Sequence, residues 1–307
     1  MAIKPRDDTT DPETVPEVVV PFRKRRIQQM LAEVPAIEYG RRSEVALAEV
    51  PKTDVNLAGK KKVWLFVGGG QGGKTTVIRC FVGWAREQKR DVELAALDPG
   101  STRSLTSWFP DGVEEAPENE AARTGWLRDL LLDVTDDPRT LICDFGGGGH
   151  VPLLDLARKA KEGLHKSLEA AGIGLVVCYV LTPRIDDAEI IKDFEEAGFR
   201  PKATLLLLNA GKVDSSQEVA EAFEPVRQHA GFKMATKRGG VVITIPMLDP
   251  TVMQEIELKR LSFAMARSGE VPPGRSFKPI AGLNRSIAAT WLADMGAAFR
   301  PVETWLP

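Results

Sequence analysis

The stretch Gly68-Gly-Gly-Gln-Gly-Gly73-Lys74-Thr75 fits the spacing GxxxxGK[ST]. Each residue type in it suits phosphate binding. Gly68, Gly69, Gly70, Gly72 and Gly73 carry no Cβ, so backbone N–H groups, with that of Gln71, can turn inward and approach phosphate oxygens. A helix beginning at Lys74 adds the positive end of its dipole. Lys74 is expected to reach the β and γ phosphates and the Thr75 hydroxyl to ligate Mg²⁺, with Thr76 beside them in the cofactor-binding set. A hydrated metal also needs a carboxylate. Asp144 in "LICDFGGGG" lies where an apolar run ends, the place of a metal-orienting aspartate; its competing role is to cap the following helix. Gly146 to Gly149 would let that loop move with the γ-phosphate. Asp98 in "LAALDPGSTRSLTSWFP" is a third acid at a strand end, able to orient or deprotonate an attacking water. Its competing role is a turn-forming Asp-Pro.

These side chains need a scaffold, and the apolar pattern supplies one. Short continuous apolar runs occur in "KKVWLFVGG", "DVELAALDP", "TLICDFGGGG", "IGLVVCYVLTP", "KATLLLLNAG" and "GGVVITIPML". Between them lie amphipathic stretches: 74–88, 121–133, 151–171, 185–198, 215–231 (broken near Pro225) and 250–269. Continuous runs are strands buried on both faces, and their alternation with helices predicts an α/β fold with a doubly wound, mostly parallel sheet of six strands. No period of 20 to 50 residues repeats, which excludes a solenoid.

The chain has 307 residues, 43% hydrophobic and 27% charged, with a net charge of -2. Any nucleic-acid contact must therefore come from a local patch. Cys80, Cys143 and Cys178 are far apart with no CxxC spacing, so they read as small core residues in a reducing compartment. No apolar run reaches 18 residues and the acidic N-terminus has no signal-like core, so a cytoplasmic protein is expected. Residues 1–58 read as a largely disordered arm, 59–268 as the nucleotide domain, and 269–307 as a loop and amphipathic helix. The arm carries a basic block, Arg23, Lys24, Arg25 and Arg26, which could touch DNA or acidic lipid or simply be solvated.

Taken in order, the glycine loop, "ALDPGSTRSLTSWF", "CDFGGGG", "LLLLNAG" and "TIPML" resemble the ParA/MinD group of P-loop ATPases in the SIMIBI class, which also contains nitrogenase iron protein. The nearest in character are its plasmid partition, stability and conjugation-associated members. The resemblance covers roughly residues 60 to 265. It implies ATP and Mg²⁺ as cofactors and catalytic roles for Lys74, Asp98 and Asp144. In such proteins Asp98 would handle the lytic water and Asp144 would stand near the metal. Asn209 would contact adenine, and Pro246 and Met247 would pack on the base. A GTPase would carry NKxD where this chain reads Asn209-Ala-Gly-Lys-Val-Asp214, which points to ATP.

The resemblance also implies a homodimer formed with ATP, nonspecific DNA as a surface to bind, and a small DNA-binding or activator partner. Candidate DNA contacts are the arm block and a late set, Lys233, Lys237, Arg238, Lys259 and Arg260. The family's loop usually reads KGGxGK[ST], with a first lysine that reaches the partner's nucleotide. That position is Gly69 here, and Gln71 stands where glycine is usual. Arg103 is a candidate for the missing cation. Leu283, Ile287, Trp291, Met295 and Phe299 recur on one face of the last helix, which either docks on its own domain or its dimer mate, or lies on a membrane as in MinD-like proteins.

Overall fold

The computed structural model describes residues 53–97, 105–110 and 112–307. Arg23 to Arg26, Asp98 and Arg103 lie outside the described residues. Seven strands form one all-parallel sheet in the order β3-β2-β4-β1-β5-β6-β7. They are β1 (Lys62–Val67), β2 (Glu93–Ala96), β3 (Val113–Glu115), β4 (Leu141–Asp144), β5 (Gly174–Leu181), β6 (Ala203–Asn209) and β7 (Val241–Ile245). Six match the apolar runs. The seventh, β3, has three residues and an exposed edge, so no apolar run marks it.

Helices cover both faces: α1 (Lys74–Glu87), α2 (Glu120–Asp136), α3 (Val151–Ala160), α4 (Gly163–Ala170), α5 (Ile185–Glu196), α6 (Val219–Ala222), α7 (Glu224–Gln228), α8 (Ala230–Lys237), α9 (Pro250–Leu258), α10 (Phe263–Ser268) and α11 (Gly282–Phe299). Three expected helices are broken into shorter ones. The 151–171 stretch turns at Lys161, which takes a positive φ of 47°. The 215–231 stretch restarts at Pro225, whose missing N–H is harmless in a first turn. The 250–269 stretch breaks at Arg260, φ 52°, and restarts where the Ser262 hydroxyl accepts from Met265 N.

Alternate residues of the central strands feed two cores. One is rich in aromatic rings: Trp64, Phe66 and Phe81 pack with Phe299, with Phe81 5.1 Å edge-on to Phe299. The other sets Val63, Leu65 and Val67 against α2, α3 and α5, with Tyr179, Phe194 and Phe199 among its rings. Cys80, Cys143 and Cys178 are free and fully buried. The α11 stripe belongs to the first core. Trp291, Met295 and Phe299 are buried, Ile287 packs at the margin, and only Leu283 stands out, at 74% exposed. Trp291 Nε1 donates to Pro246 O at 2.8 Å, and Trp305 Nε1 to Val55 O at 2.8 Å. The apolar face that a membrane would need is spent inside the fold. Among the described residues no helix is long and apolar enough to cross a membrane.

β1 lies between β4 and β5, and β4 pairs it with Phe66 opposite Asp144. Connections run to opposite sides of the sheet from this strand, which opens a crevice at its carboxyl end. The glycine loop leaves β1 into that crevice.

Candidate functional site

The loop from Gly68 to Gly73 has no room for side chains at its two ends. Gly68 has φ +150°, and a Cβ there would lie 2.4 Å from Val180 O on β5. Gly73 has φ +99°, and its Cβ would strike Asn209 Nδ2 at 2.4 Å. The turn is closed by Gly72 N donating to Gly69 O at 3.3 Å, with Gln71 in the left-handed region at φ 61°. The backbone then enters α1 at Lys74.

The Lys74 ammonium is buried and folds back over the loop, donating to Gly68 O and Gly69 O at 2.9 Å each. It thereby stands at the centre of the curl, where a phosphate would exchange loop carbonyls for its own oxygens. Thr75 Oγ1 donates to Asp144 Oδ2 at 2.8 Å. Asp144 is buried at the end of β4. A hydroxyl and a carboxylate this close are hard oxygen donors suited to Mg²⁺, which keeps most of its shell as water and phosphate oxygen. Thr75 and Asp144 are therefore the residues that would hold the metal. It would supply charge neutralisation between phosphates.

Asp144 leads into Gly146–Gly149. Gly147 lies directly on the phosphate loop, since a Cβ there would be 3.1 Å from Gly70 Cα. His150 follows, and burial, then the Lys74 charge, lowers its pKa and favours the neutral ring. Among the described residues its buried Nδ1 has no hydrogen-bond partner.

Lys74, Thr75, Thr76 and Asp144 share a cleft of about 690 Å³ with Gln71, Gly72 and Gly73. That volume is typical of a small-molecule site. Its far wall is Arg79, Trp108, Lys212, Gln254, Glu257, Leu258 and Arg260. Sequence reasoning assigned none of these to the nucleotide. Arg79 had a signal: it follows Thr75 by four on α1 and so shares its face. Its guanidinium lies 3.4 Å over the Trp108 ring and 4.5 Å over Phe263, and donates to Leu261 O at 3.1 Å. Burial first of all pulls its pKa down to about 10, leaving it cationic at neutral pH.

Asn209, Pro246 and Met247 do not line this cleft. Asn209 Nδ2 donates to Gly72 O at 2.7 Å and its Oδ1 accepts from Gly211 N at 3.0 Å, so the amide braces the phosphate loop. Pro246 O is held by Trp291, and Met247 is 52% exposed.

The late basic set is also divided. Arg238 is turned inward onto Glu195 at 2.7 Å, Thr204 Oγ1 and Pro201 O. Lys259 is engaged by Glu255 and by Lys278 O. Arg260 sits 5.0 Å over Trp108, donates to Ser107 Oγ at 3.2 Å and walls the cleft. Only Lys233 and Lys237, both on α8, are left exposed without such ties. Three of the five cations in this set thus have partners within the protein.

No family model and no curated protein matches this sequence. Solved structures match it at low similarity. Chloroplast FtsY from Physcomitrella patens is 16% identical over 78% of this chain and 68% of its own, with a TM-score of 0.40. The signal recognition particle receptor FtsY from Elizabethkingia anophelis is 18% identical over 70% of this chain and 78% of its own, also at 0.40. The fold assignment stands on the chain's own strand order and loop geometry.

Proposed function

We propose that this chain is a Mg-ATP-dependent ATPase of the ParA/MinD kind. ATP closes a homodimer, hydrolysis releases it, and the cycle positions, segregates or transfers plasmid DNA or another large cargo in the cytoplasm. The observation that carries the nucleotide part is the Thr75–Asp144 contact at 2.8 Å, made beside an ammonium held over the glycine curl. ATP is favoured over GTP by the sequence at 209–214. Its Asp214 carboxylate is occupied locally, accepting from Ser216 N and Ser216 Oγ at 2.9 and 2.6 Å. Exposed Lys233 and Lys237 are candidate DNA contacts on the nucleotide domain, and the arm block Arg23 to Arg26 is a separate candidate.

A second reading is favoured by Gly69. Without a side chain there, the chain is a weakly hydrolysing regulatory or structural partner in a conjugation or secretion complex. The experiment that separates the two is binding and turnover of ATP and GTP with Mg²⁺, for the wild type, Lys74→Ala and Asp98→Ala, with and without duplex DNA. DNA-stimulated ATP turnover lost in both variants supports the switch. ATP binding lost only in Lys74→Ala, with no turnover in any protein, supports the regulatory module. GTP bound in preference to ATP overturns the base assignment.

A further inference from the structure

A second cavity, of about 530 Å³, opens beside the phosphate loop and is lined by Gly70, Gln71, Thr182, Pro183, Arg184 and Lys212. Two of its walls are cations and none is a carboxylate. Gln71 and Lys212 also line the nucleotide cleft, so the two spaces meet across the loop.

Arg184 follows β5 and caps the start of α5. Its guanidinium lies against the α-carbon of Gly69. A Cβ built on Gly69 would be 2.6 Å from Arg184 Nη2 and 2.3 Å from Asp187 Oδ1. A side chain at residue 69 would have to displace this pair. Residue 69 therefore has Lys74 on its carbonyl oxygen and Arg184 at its α-carbon.

The guanidinium is loosely held. Nε donates to Thr182 Oγ1 at 3.2 Å. Nη2 is 3.6 Å from Asp187 Oδ1, beyond a good hydrogen bond. Asp187 is itself fixed: it is buried, and its Oδ2 accepts from Thr182 N at 2.8 Å and Thr182 Oγ1 at 2.6 Å. The Arg184 side chain is 58% exposed. Thus Thr182, itself fixed by the buried Asp187 carboxylate, holds Nε, and the planar fork beyond it, with Nη2 only loosely paired to Asp187, is placed to meet an anion.

We propose that Arg184 is a second phosphate-binding cation of this site, contacting the terminal phosphate of a nucleoside triphosphate next to Gly69 and Gly70. This rests on the reading of the glycine loop as a nucleotide site. The phosphate is either that of the nucleotide in the same chain or that of one presented by a second copy.

The test measures affinity for a non-hydrolysable ATP analogue and for ADP, with Mg²⁺, in the wild type, Arg184→Ala, Arg184→Gln and Arg184→Lys. Arg184→Gln removes the charge while keeping a donor near Thr182, so it carries the test if the alanine variant misfolds. The expected result is a loss of about tenfold or more in triphosphate affinity for the alanine and glutamine variants, partial recovery with lysine, and ADP affinity unchanged. Mixing Arg184→Gln with Lys74→Ala separates the sources. Recovered ATP turnover in the mixture means the arginine serves a second copy's nucleotide; no recovery means it serves its own. Unchanged triphosphate affinity in folded Arg184→Gln, or an equal loss for ADP, overturns the proposal and leaves the nucleotide site standing. A wild-type protein that binds neither nucleotide overturns both.

Discussion

The phosphate end of the cleft is mainly one continuous segment, 71–76, closed by Asp144 at the end of β4 and the Gly146 and Gly147 that follow it. The far end is walled by Arg79, one turn further along α1, and by three segments distant in sequence: Trp108, Lys212, and Gln254 to Arg260. The first end is built from backbone geometry that only glycine tolerates, and the second from side chains that could be exchanged. A loop of consecutive residues is held in register by the chain itself, so its function is concentrated in few positions. A wall assembled from separate elements spreads its function thinly. Substitutions should therefore have large, chemistry-specific effects at one end and small, graded ones at the other.

The largest effect is expected for Lys74→Ala. It removes the buried ammonium that bridges Gly68 O and Gly69 O. ATP turnover should fall by about 100-fold or more, the usual loss when a preorganised donor to a developing charge is deleted. A steady-state phosphate-release assay checks it. Retention of more than about a tenth of the wild-type rate would mean that the phosphate end is not concentrated in this residue.

Gly68→Ala comes next and acts on the fold and the site together. The new methyl would meet Val180 O at 2.4 Å at a φ of +150°. Either β5 or the loop must move, at a cost of about 2–3 kcal/mol in stability, read by urea denaturation. Nucleotide affinity should fall with it. Normal stability with normal affinity would show that the loop is far softer than its contacts imply.

The same contrast explains what could be read from the sequence. The glycines, Lys74, Thr75 and Asp144 were legible because a phosphate loop demands these types at fixed spacing after a buried strand. Six strands were legible because parallel strands covered on both faces must be apolar throughout. β3 was not, since three residues at a sheet edge carry no such demand. Lys161 and Arg260 were unreadable as helix breaks because neither is a residue type that favours a positive φ. Asn209 was legible as a strand-end residue, but its brace on the loop was not: the contact with Gly72 O crosses 137 positions of sequence. Arg184 and Trp108 gave no signal, because what matters is their placement against Gly69 and Arg79.

Asn209→Ala tests which end that residue belongs to. As a brace on the loop it contributes two hydrogen bonds, to Gly72 O and from Gly211 N. Each is worth about 1 kcal/mol. The expected outcome is a loss of about 1–2 kcal/mol in stability and a fall of about tenfold in affinity for ATP, ADP and GTP alike. Calorimetric titration with the three nucleotides checks it. A loss confined to ATP and ADP would return Asn209 to the adenine.

The smallest effect is expected for Met247→Ala. The side chain is 52% exposed and does not line the cleft. Stability should change by no more than about 0.5 kcal/mol, as for other surface positions. Nucleotide affinity should stay within about twofold, whereas Gln254→Ala, inside the far wall, should weaken it by several fold if that wall holds the base. The two titrations together locate the base. Equal indifference in both would mean that the far wall binds no base and that the cleft is used only at its phosphate end. A loss on Met247→Ala alone would mean that the 246–247 loop folds over the base when nucleotide enters, bringing Pro246 off its bond to Trp291.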